Sequence, residues 1–496
     1  MLAAASAASQ PQLTAHHEYQ LGNLPGSEPR DLGTVYQQLN FGFETSGFLA
    51  SLRSEAFRSS ESGRDYFHLA QRSLSYRQGG FEATAGTCLT LVGSGLLLHA
   101  FELPGVITEN RVSRRRYQIT QDLDGFQVRY RRGDVEVLLL TGRPVDSEVA
   151  PGRKGPDRRL GRVSGGALSA SPWTGLEFGT GVLDFDGEER GATTHARVRL
   201  GRLLEALGLP DWYGDLYGEY ARIDPALDSW FSLDREHARG LYLSSTITGG
   251  AWGLSLEFKD YDGFNFPAIN NPPTLIREHE AFLLNRQTHT LLPDDETGFQ
   301  AELTWALPRE VGLIAAWNLA TRRGSRPGEE AKSLSEYFLQ LDSPVGEALY
   351  GQVFFDYART RILQNEKRVT AGTRWDWSAG SRYALAADLQ FQDVDRRFGS
   401  RRFPYENLLA AAEVSRFPAW TWSLQLQRSN DPLETGASQS GATWWWALGT
   451  SWLFGEAHTA TLFAGKRRTG LACTGGTCYE VLGFEGLEIR LTSKVL

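Results

Sequence analysis

The chain has 496 residues and a formal net charge of −8, which excludes a surface built to hold nucleic acid, since that needs a basic excess. It also lacks any run of about eighteen apolar residues: the strongest candidate, Leu89 to Val106, is broken by Gly93, Gly95, His99, Glu102 and Pro104, so helical membrane spans are excluded. A hydrophobic fraction of 41% fits equally a soluble protein or a sheet with one lipid face and one wet face, but 53 Gly and 57 aromatic residues (14 Trp, 17 Tyr, 26 Phe) suit tight turns and interfacial belts.

Residues 1–10, which include the Ala/Ser stretch Leu2 to Ser9, read either as a signal-peptide remnant with small-residue cleavage chemistry or as a disordered tail. No Pro/Ser-rich linker divides the remainder of the chain, so residues 11–496 are expected to form a single domain. Strands are predicted at Leu13 to Gly22 and Thr34 to Glu44, the second with Val35, Leu39, Phe41 and Phe43 on one face, and then at Gly47 to Phe57 and Asp65 to Gln78. The last groups Tyr66, Ala70, Leu74 and Tyr76 against Phe67, Gln71, Ser73 and Arg77, with an irregular phase. From Gly79 to Ser113 the alternation fails, and the apolar run around Leu96-Leu97-Leu98 predicts burial by protein rather than by lipid. A hairpin comes next, with Phe126, Val128, Tyr130, Val135, Val137 and Leu139 outward, closed by Arg132-Gly133-Asp134.

Val145 to Pro172 reads as a Gly/Arg/Ser-rich loop, and Ala196 to Leu207 as a strand ending in a helical turn. Strands are also predicted near Thr174 to Phe185, Asp211 to Ile223, Ala238 to Thr248 and Gly250 to Asp260, and from Phe299 to the C-terminus. The alternation is cleanest from Val369 to Gln427. There Trp375, Trp377, Leu389, Phe391, Trp422 and Leu424 share one face, and Asp376, Asp388 and Gln425 the other. An apolar, aromatic exterior over a polar interior, strand after strand, is the pattern of an all-β, transmembrane antiparallel β-barrel; the count is roughly 24 strands, within about two.

The segment Lys259 to Gly298 is far longer than an ordinary connection. It carries Asp260, Asp262, Asn270, Asn271, His279, Asn285, Arg286, His289, Asp294 and Asp295. Its oxygen and imidazole groups fit neither an EF-hand nor an HExxH helix, so no metal is expected, and the segment is predicted to be an ordered lumenal or rim-packed insertion. Because a barrel this wide leaks unless filled, the segments near 79–113 and 259–298 are expected to fold inward, with Asn270, Asn271, Asn285 and Arg286 bonding to polar side chains. The motifs KDYDGFNF, NNPPTL, LLNRQTH and DDETG, with LVGSGLLLHAFELPGV and the C-terminal GKRRTGLACTGGTCYEVLGFEGLEIRL, resemble an uncharacterised family of bacterial outer-membrane β-barrel proteins of porin-like form. That resemblance implies the fold and the outer-membrane compartment, and it carries over no activity and no site residues. The chain ends Lys494-Val495-Leu496, not on the aromatic that often closes such barrels.

Cys473 and Cys478 flank Thr474-Gly475-Gly476-Thr477, a turn that brings them within bridging range, so a disulfide is expected in an oxidising compartment, with Cys88 left buried. The paired arginines at 114–116, 158–159, 322–323, 396–397 and 401–402 read as charged strand ends or as an anion-selective ring. GxSxG, P-loop, GxGxxG, CxxC and CxxCH patterns are absent; no catalytic residue and no cofactor is expected. The expected role is passage of solutes, with outer-membrane lipid as the surroundings. The alternatives are a scaffold for lipoproteins or periplasmic proteins, and a sheath for an electron-transfer cytochrome.

Overall fold

The computed structural model describes residues 10–152, 158–224, 238–264, 269–275, 277–288, 295–322, 332–361, 365–435, 441–474 and 477–495. Period-2 segments pair with their chain neighbours into one 24-stranded antiparallel sheet. The sheet closes where Thr14 to Asn23 pairs with Glu485 to Lys494, so among the described residues no edge strand is left unpaired, as hydrocarbon surroundings require.

Three long excursions between paired wall strands mark where the candidate site lies. Phe81–Cys88 pairs directly with Leu123–Arg132, Trp252–Asp262 with Asp295–Leu307, and His458–Arg467 with Phe484–Lys494. The residues between these pairs leave the wall. All three departures occur at the same rim, opposite the short turns at 45–48, 249–252 and 454–458. In barrels of this kind the long connections are extracellular and the short turns periplasmic.

The two faces divide as the alternation predicts. Trp375, Leu389, Phe391 and Trp422 stand out from the sheet, 38 to 56% exposed, while Thr370, Gln390, Gln392, Asn407 and Gln427 are buried on the inner face. The inner amides satisfy one another: Gln392 Nε2 donates to Thr370 Oγ1 (3.0 Å) and Asn407 Nδ2 to Gln392 Oε1 (2.8 Å). Near the short-turn rim Trp252 stacks on Trp305 (4.2 Å between centroids) and Trp420 on Trp452 (5.1 Å). These form the aromatic belt of a membrane interface.

Four readings from sequence are corrected. Ala70 is a β-bulge: Gln71 pairs with Arg53 but Leu69 with Ser54. One extra residue flips the phase, so Phe67 and Leu69 face outward with Leu74, whereas Tyr66 is buried inside. The predicted loop 145–172 ends in a wall strand, Val163–Trp173, and the irregular segment 79–113 begins with one, Phe81–Cys88. Strand Val163–Trp173 hid its alternation where the inner wall is apolar: Leu138, Leu140, Val163, Leu183 and Phe185 share one buried cluster with Leu96, Leu97 and Leu98. The second insertion is shorter than 259–298, since Lys259 to Asp262 and Asp295 to Gly298 lie in wall strands. The expected helical turn after 196–199 is present as Gly201–Ala206.

Nitroxide labels at Trp375, Phe391 and Trp422 should collide freely with oxygen dissolved in the bilayer, and labels at Asp376, Asp388 and Gln425 should not. The opposite accessibility would reverse the assignment of faces.

Candidate functional site

The first insertion, residues 89–122, folds as two small hairpins, Leu91-Val92 on Leu98-His99 and Phe101–Glu109 on Arg116–Gln121. Leu96, Leu97 and Leu98 are fully buried, each side chain contributing about 2 kcal/mol relative to exposure. The turn between them is fixed by Glu219 on the wall. That buried carboxylate accepts the Ser94 backbone N–H and hydroxyl (2.5 Å each), the Thr193 hydroxyl (2.7 Å) and the Tyr217 hydroxyl (2.7 Å). Gly93 makes this approach possible: its φ is +61°, and a Cβ would lie 2.3 Å from Glu219 Oε1.

The second hairpin is held by charge. Residues 116–121 are all buried. Arg116 pairs with Glu18, which Arg490 also approaches at 3.3 Å, and the Tyr66 hydroxyl donates to the Arg116 carbonyl. Gln118 Nε2 lies within 2.6 Å of Glu102 Oε1, while Gln118 Oε1 accepts from Gln38 (2.6 Å). Burial alone would raise the Glu102 carboxyl, but Arg53 (2.7 Å), Gln71 (2.6 Å) and Gln118 together hold it below its ordinary value. At the junction with the wall, burial dominates and raises Asp122 despite its contact with Arg159.

The second insertion carries most of the residues singled out by sequence. Asn270 Nδ2 donates to the Leu96 carbonyl (2.9 Å), and its own carbonyl accepts from Gln121 (3.3 Å). Asn271 Nδ2 donates to Thr477 Oγ1 (3.0 Å). Asn285 Oδ1 accepts the Cys473 N–H (3.1 Å), and Arg286 donates to the carbonyls of Arg468 and Thr469 (2.7 Å each). Their partners are therefore mainly backbone groups of other insertions, where polar side chains were expected. His279 is buried, 3.5 Å from Glu336 on the wall, beside Arg277, which pairs with Glu302. Asp260, Asp262 and Asp295 sit in wall strands, Asp260 between Arg239 (3.3 Å) and Thr297 (2.6 Å). His289 and Asp294 lie outside the described residues.

A third insertion was not anticipated. Residues 468–483 carry a short hairpin, Gly470–Thr474 with Thr477–Val481, bridged by the Cys473–Cys478 disulfide; Cys88 is free and buried. Thr108 and Arg111 of the first insertion reach Glu480, so the three segments touch one another as well as the wall. The available signal was a connection of sixteen residues between wall strands ending at Arg467 and beginning at Phe484. Of the arginine pairs, Arg397, Arg401 and Arg402 are exposed at strand ends, whereas Arg116 pairs with Glu18, and Arg396 with Glu366 (2.5 Å) and Asp431 (2.7 Å), all buried.

The lumen is not filled throughout. A cleft of about 420 Å³ remains between the 101–121 hairpin and the wall, where Thr14, His16, Asn40, Arg53, Thr461 and Arg490 face it. A second, of about 270 Å³, lies along Arg374, Asp388, Glu413 and Gln425. Both reach strand His458–Arg467, one at Thr459 and Thr461, the other at Phe463.

A closed sheet with a lipid-facing belt and a polar, partly filled lumen defines a bacterial outer-membrane β-barrel of porin-like form. No family model and no curated protein matches the chain in sequence. Among solved structures it is similar in fold to an E. coli P pilus tip assembly intermediate, PapC-PapD-PapK-PapG (TM-score 0.52, 9% identity, covering 97% of this chain and 60% of that one). It also aligns with Pseudomonas aeruginosa OpdQ (TM-score 0.44, 9% identity, 79% and 98%) and P. aeruginosa OccK5 (0.41, 11%, 82% and 98%).

Replacing Glu219 by Ala would take the acceptor from the Ser94 N–H and hydroxyl and from the buried Tyr217 hydroxyl, while the Thr193 hydroxyl keeps the Tyr220 carbonyl (3.2 Å), at a cost of about 1–3 kcal/mol for each buried donor left unsatisfied. Both Glu219→Ala and Gly93→Ala should lower the urea midpoint of the barrel and open residues 89–100 to protease. An unchanged midpoint with equal resistance would show that this anchor is dispensable.

Proposed function

We propose that the protein is a porin-like passage for small polar solutes, narrowed by its three insertions to a path along one side of the lumen. The observation that carries this reading is the pair of polar clefts left on one side of the lumen, one between the 101–121 hairpin and the wall and the other along Arg374, Asp388 and Glu413, both reaching strand His458–Arg467. Its lining mixes hydroxyls (Thr14, Thr461, Thr492), amides (Gln38, Asn40) and both signs of charge (Arg53, Arg490, Glu102). Such a lining replaces a hydration shell without strongly preferring anions or cations. The apolar sector around Leu96 to Leu98 is packed solid and supports no passage.

Reconstituted in a planar bilayer, the chain should give small, steady single-channel currents. Deleting Phe266 to Leu292 should raise the conductance several-fold and admit larger solutes in liposome-swelling assays. A barrel silent both with and without the segment would reject the passage reading. Co-purification of such a silent barrel with lipoproteins or cytochromes would favour an anchoring role.

A further inference from the structure

We propose that His279, Glu336 and Asp356 form a binding site for a divalent transition-metal ion of the zinc type, which pins the second insertion to the barrel wall. His279 comes from the insertion, Glu336 from strand Lys332–Pro344 and Asp356 from the neighbouring strand Leu349–Thr360. Phe338 pairs with Asp356 in the register, so Glu336 and Asp356 are diagonal neighbours on the inner face. One ligating atom from each residue lies within 4.8 Å of the others, and all three residues are buried.

Several buried polar atoms without a hydrogen-bond partner face one another at this spot. Among the described residues, both ring nitrogens of His279 and both carboxylate oxygens of Asp356 lack a hydrogen-bond partner, and so does Asn318 Oδ1, whose Nδ2 donates to Glu336 Oε2 (2.8 Å). Buried groups in that condition signal a bound ion or water. Arg368 approaches Glu336 Oε1 at 3.2 Å and Asp356 Oδ1 at 3.6 Å. One guanidinium against two buried carboxylates leaves the cluster short of positive charge. A metal ion supplies it, using a ring nitrogen's lone pair and the orphaned oxygens together.

One imidazole with two carboxylates suits zinc and its neighbours better than calcium or magnesium, which prefer all-oxygen shells. Zinc ligands at about 2.0–2.2 Å from the ion lie roughly 3.4 Å from one another, so small side-chain rotations close the site, with Asn318 Oδ1 available as a fourth donor. The His279 ring already rests on Phe338, 4.6 Å between centroids, which limits its motion.

The test uses the full chain without an affinity tag, folded in detergent and stripped with EDTA, titrated calorimetrically with Zn²⁺. One ion per chain is expected, with that site lost in His279→Ala and weakened at least tenfold in Asp356→Asn. Co²⁺ in place of Zn²⁺ should give visible d–d absorption that the His279→Ala chain lacks. His279 lies outside the wall, so its substitution leaves the strands to assemble; if that variant nevertheless fails to fold, the wild-type Co²⁺ spectrum, with or without a nitrogen donor, decides. No bound Zn²⁺, or the same stoichiometry and affinity in both variants, overturns the site. The result is independent of solute passage, since a silent barrel binds metal equally well.

Discussion

Closing 24 strands into one sheet solves one problem and creates another. The described wall strands pair on both sides without a free edge, but the diameter that closure imposes leaves a lumen too wide to remain empty without leaking. The rest of the molecule answers that constraint. Connections at one rim, the three insertions among them, are lengthened and turned inward, and the inner wall changes its chemistry to receive them: apolar where Leu96 to Leu98 dock, and charged or amide-bearing where the 101–121 hairpin and His279 dock.

The insertions act as one body because they bond to one another's backbones. Asn270 joins the first two, through the Leu96 carbonyl and Gln121, while Asn285 and Arg286 join the second to the disulfide hairpin. Irregular backbone inside a barrel leaves N–H and C=O groups without a ladder, and neighbouring irregular segments are the nearest source of partners. Side chains of Asn and Arg bridge these gaps, which is why these residues recur in the insertion.

Much of the wall is legible in the sequence, and the reasons for the exceptions are local. Trp375, Phe391 and Trp422 disclose their face because their inner neighbours are polar. Val163–Trp173 conceals its own because small and apolar residues occupy both faces where the lumen is packed. A single bulge at Ala70 moves Tyr66 from lipid to interior, and no periodicity announces an inserted residue. The disordered phase of the 89–113 region and the Pro/Asn content of 263–294 do mark segments that leave the sheet. The anchors are not legible: Glu219 and Ser94 are 125 residues apart, and the His279, Glu336 and Asp356 cluster draws on three separate segments, so neither has a spacing to read.

The central claim is that residues 89–122 are packed inside the barrel as firmly as the wall itself. Amide hydrogen exchange on the intact protein in nanodiscs measures this directly, because protection reports the free energy of local opening. The amides of residues 116–121 are predicted to exchange as slowly as those of the wall strands they contact. Exchange there at the rate of an exposed loop, with the wall strands still protected, would contradict the account.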